Sequence, residues 1–371
     1  MSDEAISAMT NDGSPLELSL AAMTRPAALS AAEGQRAAVR CFACGHRCLV
    51  LEGRSGICRV RFNRGGVLYA PYGYVAALAC DPIEKKPFFH VLPGTEALSF
   101  GMLGCDLHCP YCQNWEISQA GRDANSGREA TPIAADDIVR VALARGARSV
   151  VSTYNEPLIT AEWAVDVFRA ARAAGLLTAF VSNGNATPEA IEYLRPWLDA
   201  FKVDLKGFRA ETYRRMGARI EPVLDSMRRI AASGLWLEVV TLVVPGLNDS
   251  EEELADMARF VASLGRDVPW HVTAFHPDYR MTDLEATDES GLLRAAAIGR
   301  SAGLRYVYAG NRPGRVGRLE DTACPGCGEW LVERRGFRVR TADGFGPGIC
   351  PGCGSRIPGI WTRPSPAAAQ L

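Results

Sequence analysis

The chain has 371 residues, 47% hydrophobic and 22% charged, enough to bury one large core with small modules attached. Its 41 Lys and Arg against 42 Asp and Glu give a net charge of −1, which excludes a strongly basic nucleic-acid binder and offers an anionic membrane nothing to attract. No apolar run approaches the roughly 18 residues a membrane helix needs, and the opening "MSDEAISAMTNDGSP" has neither the basic nor the apolar region of a secretion signal. A cytoplasmic chain with no nucleic-acid or membrane partner is the expectation.

Residues 1–36, rich in Ala, Ser and Thr without periodicity, are expected to be disordered. Residues 37–92 open with "CFACGHRCLVLEGRSGICRVRFNRGGVLYAPYGY", whose Gly and aromatic punctuation favours short strands and turns in a small metal-tied module. Cys41, Cys44, Cys48 and Cys58, spaced C-x2-C-x3-C-x9-C, suit zinc or an auxiliary [4Fe-4S] cluster, because both accept four thiolates. Cys80, in "YVAALAC", reads as a small buried hydrophobe.

Residues 93–319 change rhythm. Short apolar runs at 97–102, 148–153, 177–182, 200–205, 237–244, 270–275 and 304–310 read as buried strands and alternate with helical segments. "TPIAADDIVRVALARG" and "TPEAIEYL" place Thr then Pro at helix starts, and "SEEELADMARFVASLG" has a capping box and ends at Gly. Such alternation implies a parallel sheet, as a partial or complete β/α barrel or a doubly wound sheet, with ligands at the carboxyl ends of the strands. Residues 320–363 then carry Cys324, Cys327, Cys350 and Cys353 as two C-x2-C pairs, each followed by Gly, in the manner of a zinc ribbon or rubredoxin-like knuckle holding zinc or iron. Residues 364–371 form a tail.

Twelve cysteines could suggest disulfides, but their grouping on turns, in a reducing compartment, favours metal. The third group, Cys105, Cys109 and Cys112, follows the first barrel-type strand as C-x3-C-x2-C, with Gly101 and Gly104 allowing close backbone approach. Three thiolates leave one position of an iron-sulfur cluster free for a non-protein ligand. The bland reading is a structural zinc site completed by a remote ligand such as His90 or Cys80.

With Tyr111 just before the third cysteine, this loop resembles the radical S-adenosylmethionine (SAM) superfamily. "DPIEKKPFFHVLPG", "CQNWEISQ" and "RIPGIW" further resemble the radical SAM enzymes of the AmmeMemoRadiSam system, relatives of pyruvate formate-lyase-activating enzymes, over about Cys41 to Trp361. The resemblance implies a partial (β/α)6-type barrel, and a [4Fe-4S] cluster whose open iron takes SAM and cleaves it reductively to a 5′-deoxyadenosyl radical that abstracts hydrogen. It places Glu156 of "STYNEP" at the methionine amino group, although that element lacks the family's glycines. Asn183 of "VSNG" falls to the carboxylate or ribose, Asp204 of "KVDLKG" to the ribose hydroxyls, Lys206 to the carboxylate, and His271 of "WHVTAF" near the adenosine. Glu84, Lys85, Lys86 and His90 are candidates for the active-site mouth, with surface charge and core packing as equal alternatives. A flavodoxin- or ferredoxin-like electron donor is implied, together with a small-molecule or protein substrate, either a glycyl radical enzyme or a Memo- or AMMECR1-like partner. No catalytic side chain is assigned. The rival function is a non-catalytic multi-zinc scaffold, motivated by the eight cysteines outside the loop.

Overall fold

The structure, a computed structural model, describes residues 23–34 and 37–362. Its centre is one eight-stranded sheet whose strands lie side by side in the order in which they follow one another along the chain. The strands are β1 (Ala77–Pro82), β2 (Glu96–Gly101), β3 (Ser149–Ser152), β4 (Leu177–Ser182), β5 (Ala200–Asp204), β6 (Trp236–Val243), β7 (Trp270–Ala274) and β8 (Val307–Gly310). β2 to β8 run parallel, and β1 adds an antiparallel edge. The crossovers are the helices α1 (Ala135–Ala144), α2 (Ala161–Ala173), α3 (Pro188–Leu194), α4 (Ile220–Ala232), α5 (Glu251–Leu264) and α6 (Glu289–Ser301).

The strands form because their apolar residues are covered on both faces. Phe180 on β4 packs against Phe201 on β5, and Phe168 of α2 packs on Phe180 and on Phe100 of β2, and all four are buried. The edges β1 and β8 do not pair with each other, so the sheet is an open, partial β/α barrel, as the resemblance implied. All seven expected strands occur, within about three residues of their predicted ends.

Several expectations give way. Residues 24–26 and 30–33, placed in a disordered segment, are strands, held by pairing to 69–71 and 38–41 respectively; residues 1–22 and 35–36 lie outside the described residues, as does 363–371. β1 falls inside the stretch assigned to the Cys-rich module, so the barrel sheet begins before residue 93. Thr131 and Pro132 do not open α1 but pair with Val75 and Tyr74, and the helix starts at Ala135 without a side-chain cap. By contrast, Thr187 caps α3 by accepting from the Ala190 N–H with Pro188 in the first turn, and Ser250 caps α5 by accepting from the Glu253 N–H. Cys80 is only half-buried, because it sits on the sheet edge, where its thiol faces Glu96 at 3.8 Å.

Two modules flank the barrel. The N-terminal one has two small antiparallel sheets and is tied to α2 by the buried Arg61–Glu162 ion pair and by Arg25 to Asp166 at 2.8 Å. The C-terminal one is a three-stranded sheet of 322–323, 330–335 and 338–341. Its last segment returns to the barrel, where Ile360 N–H donates to His90 O at 2.7 Å and Leu92 N–H to Ile360 O at 2.8 Å.

Candidate functional site

The carboxyl ends of β2 to β8 surround a cavity of about 640 Å³. Cys105, Cys109, Tyr111 and Cys112 line it from the loop after β2; Glu156 follows β3, Asn183 follows β4, Asp204 ends β5 with Lys206 beyond it, and His271 lies on β7. Side chains up to 166 residues apart in sequence, Cys105 and His271, thus meet because a parallel sheet delivers every strand end to the same side.

Two close approaches shape the cysteine loop. A Cβ on Gly101 would lie 2.6 Å from the Thr153 carbonyl, and one on Gly104, at φ +87°, would lie 2.7 Å from Val60 and 2.9 Å from the Cys58 carbonyl. The thiols sit among donors that suit thiolates: Leu107 N–H points to Cys105 Sγ at 3.4 Å and Ser118 Oγ lies 3.1 Å from Cys112 Sγ. Cys109 is packed against Met216 Sδ at 3.5 Å, and burial pushes its thiol up to about 12. Loading this loop with metal must therefore release protons. The loop has no fourth cysteine, and its Asp106 carboxylate is taken by Asn183 and Asn185, so its three soft thiolates fit a [4Fe-4S] cluster with one open iron. A fourth ligand from His90 is ruled out by position: its Nδ1–H donates to Pro358 O at 2.6 Å, its Nε2 accepts from the Tyr308 hydroxyl at 2.7 Å, and it does not line the cavity.

Glu156 is fully surrounded. Oε1 accepts from the Leu158 N–H at 3.1 Å and the Ser182 hydroxyl at 2.7 Å, and Oε2 accepts from the Asn183 N–H at 2.7 Å. Burial, then the charge of Asp106, raises its carboxyl to about 8. Tyr154 takes φ +73°, the left-handed conformation a glycine adopts freely, so the backbone bend survives without the glycine. Asp204 is held between the Nζ of Lys202 and that of Lys206, the latter at 3.6 Å, and these two cations keep its carboxyl below the usual range against burial.

Asn183 and His271 line the cavity but have protein partners. Asn183 Nδ2 donates to Asp106 at 2.7 Å while its Oδ1 accepts from the Asn185 N–H at 2.9 Å. His271 Nε2 lies 2.7 Å from Glu238, a carboxylate that also accepts from the N–H groups of Phe89 and His90. Of the mouth candidates, Glu84, Lys85 and Lys86 line the cavity. Glu84 accepts from the Gly94 N–H at 2.9 Å and faces buried Arg334 at 3.6 Å.

Sequence reasoning missed three participants. Asp106 is buried and gathers Asn183 and, at 2.8 Å, Asn185. Lys202 is a buried cation inside an apolar strand, a signal that was available, since Lys is almost never buried without a partner. Phe337, at the tip of the 330–341 hairpin, closes one side of the cavity mouth; nothing local in the sequence reports that placement.

Cys324, Cys327, Cys350 and Cys353 converge separately, with all four sulfurs within 4.8 Å of one another and pairs at 3.6 and 3.5 Å. A tetrahedral ion with bonds of about 2.3 Å spaces its thiolates by about 3.8 Å, so this set can hold one metal ion.

The profile described as "Radical SAM superfamily" matches residues 101–260. An uncharacterized protein of Methanocaldococcus jannaschii is 40% identical over 323 residues, covering 86% of this chain and 95% of that one. The pyruvate formate-lyase 1-activating enzyme of Escherichia coli is 23% identical over 236 residues, 58% of this chain and 93% of that one. Among solved structures, a radical SAM methyltransferase from Sphaerobacter thermophilus aligns with a TM-score of 0.47 at 15% identity, covering 64% of this chain and 71% of that one. With its cysteine loop and strand-end residues in place around one cavity, the chain belongs to the radical SAM superfamily and is related to the activating enzymes within it.

Proposed function

We propose that the protein is an activating-type radical SAM enzyme that abstracts hydrogen from a protein or peptide substrate, and that it belongs to the AmmeMemoRadiSam group. The observation that carries this is the junction of the three-cysteine loop with Glu156, Asp204 and Lys206 in a cavity of about 640 Å³ on an unclosed sheet. Bound there, the cluster and SAM supply one-electron cleavage of a sulfonium to a carbon radical.

The chain's residues do the rest. Cys105, Cys109 and Cys112 hold the cluster. Glu156 receives an ammonium, whose charge favours the ionised carboxylate; Asp204 receives ribose hydroxyls and Lys206 a carboxylate. Asn183 and Asp106 position the loops that carry them, and His271, engaged by Glu238, would line the cavity wall near the adenosine. Lys86, between Asp81 at 3.1 Å and the Tyr154 hydroxyl at 3.2 Å, faces the substrate side. The gap between β1 and β8 and the exposed Phe337 support a peptide entering from outside. The partners this implies are a flavodoxin- or ferredoxin-like donor and a glycyl radical enzyme or a Memo- or AMMECR1-like protein. The C-terminal cysteines hold structural zinc in this reading.

The test is SAM turnover by anaerobically reconstituted protein with each candidate partner bearing deuterium at glycine or other backbone carbons. Deuterium entering 5′-deoxyadenosine from one partner is expected. Equal turnover with and without every protein, and deuterium transfer only from small molecules, would refute a protein substrate.

A further inference from the structure

We propose that Cys41, Cys44, Cys48 and Cys58 bind a second iron-sulfur cluster, of the closed [4Fe-4S] type, beside the open one. It rests on the functional reading only for the identity of its neighbour.

The first argument is spacing. Among the described residues, the C-terminal set is the group of three or more Cys, His or carboxylate ligand atoms lying within 4.8 Å of one another. The N-terminal four do not contract to the distance one tetrahedral ion requires, and neither do Cys105, Cys109 and Cys112. A cubane, with several atoms between its thiolates, does not require that contraction, so both sets lack the mark of a single-ion site that the C-terminal set carries. Within the N-terminal set the Cys41 N–H donates to the Cys48 carbonyl at 2.9 Å and the Ile57 N–H, beside Cys58, points to Cys48 Sγ at 3.5 Å, so backbone contacts join its two ends.

The second argument is the shell. Cys41, Cys44 and Cys58 are buried, and Arg61, only 1% exposed, brings Nη1 to 3.9 Å from Cys41 Sγ. Its Nε has no hydrogen-bond partner in the structure. An orphaned buried donor on the guanidinium that reaches Cys41 calls for an acceptor, and a cubane's bridging sulfides add acceptors to those its thiolates already offer.

The third argument is the join between the sets. The Cys58 carbonyl lies against Gly104, one residue before Cys105. His46 Nε2 lies 3.1 Å from the Asp106 carbonyl. Arg122 spans the gap, donating to Ile57 O on one side and to Leu107 O at 3.2 Å on the other, and no carboxylate lies within ion-pair distance of it among the described residues. A guanidinium placed between two thiolate sets without a carboxylate partner is suited to offset negative charge on both sides. So placed, the second cluster would accept one electron from a low-potential flavin or iron-sulfur carrier and give up that same electron to its neighbour, with no bond made or broken.

The experiment removes the open site and counts what remains. The Cys105→Ala/Cys109→Ala/Cys112→Ala variant, reconstituted anaerobically, is expected to keep about four iron and four sulfide per chain. Dithionite should develop a reduced-cluster EPR signal in it, and spin coupling between clusters should appear only in wild type. A variant with no iron and a second zinc overturns the proposal. Should the variant fail to fold, wild type decides: about eight iron and one zinc supports it, about four iron and two zinc refutes it. Absence of SAM cleavage with all eight iron present would instead count against the functional reading alone.

Discussion

His90 shows how one buried side chain sets a pH response. With Nδ1–H donating to Pro358 and Nε2 accepting from Tyr308, its ring is neutral, and burial lowers its pKa to about 4 from 6.5. The unfolded chain binds that proton at higher pH than the folded one does, so the stabilisation is intact above about 6.5 and is lost as pH falls toward 4. Two and a half units correspond to about 3 kcal/mol. Thermal unfolding of the metal-loaded protein between pH 7 and 5 should show this fall, and His90→Gln should flatten it; an unchanged slope would place the acid response elsewhere. Glu156 gives a prediction for binding. Glu156→Gln should weaken SAM roughly tenfold to a hundredfold, the range of a charged hydrogen bond, while iron content stays the same. Equilibrium dialysis separates the two, and unaltered affinity would remove Glu156 from the site. Neither residue's surroundings could be read in advance. Glu156 stood out by its place at a strand end, but the three donors around it come from positions two to twenty-seven residues away.

At the scale of elements, the legible features were those decided locally. Seven strands could be read because each is an apolar run bounded by turn residues, and the caps of α3 and α5 because Thr187 and Ser250 need only their own first turns. What escaped was decided by distant partners. β1 is a strand because β2 offers it an edge, and Thr131–Pro132 is extended because Tyr74–Val75 pairs with it. The loop after β2 depends on Gly104 in the same way. Gly104→Ala puts a side chain at positive φ into Val60 and the Cys58 carbonyl, and should destabilise by about 2 kcal/mol or more. It should also lower iron retained by the loop, checked by denaturant unfolding and metal analysis; a stable, fully loaded variant would show that the close approach is dispensable.

The whole molecule is two modules clamped on a barrel. Arg334, buried in the C-terminal sheet, donates to Phe89 O at 2.7 Å and faces Glu84 at 3.6 Å, so barrel and module share one buried charge cluster. Arg334→Met leaves Glu84 buried without its cation, a change of the kind that costs about 3–5 kcal/mol. Limited proteolysis within 320–362 should accelerate; protection equal to wild type would contradict the clamp. The module plan was legible from cysteine grouping. The clamp was not, since its partners lie some 245 residues apart. Of the three cysteine sets, the three-cysteine loop is the one proposed to carry SAM cleavage, and the most direct measurement is 5′-deoxyadenosine formed by anaerobically reconstituted protein with SAM and a strong reductant. Production by wild type and its loss in Cys109→Ala, with the C-terminal metal retained, is the predicted result. No product from wild type, or undiminished product from Cys109→Ala, would contradict it.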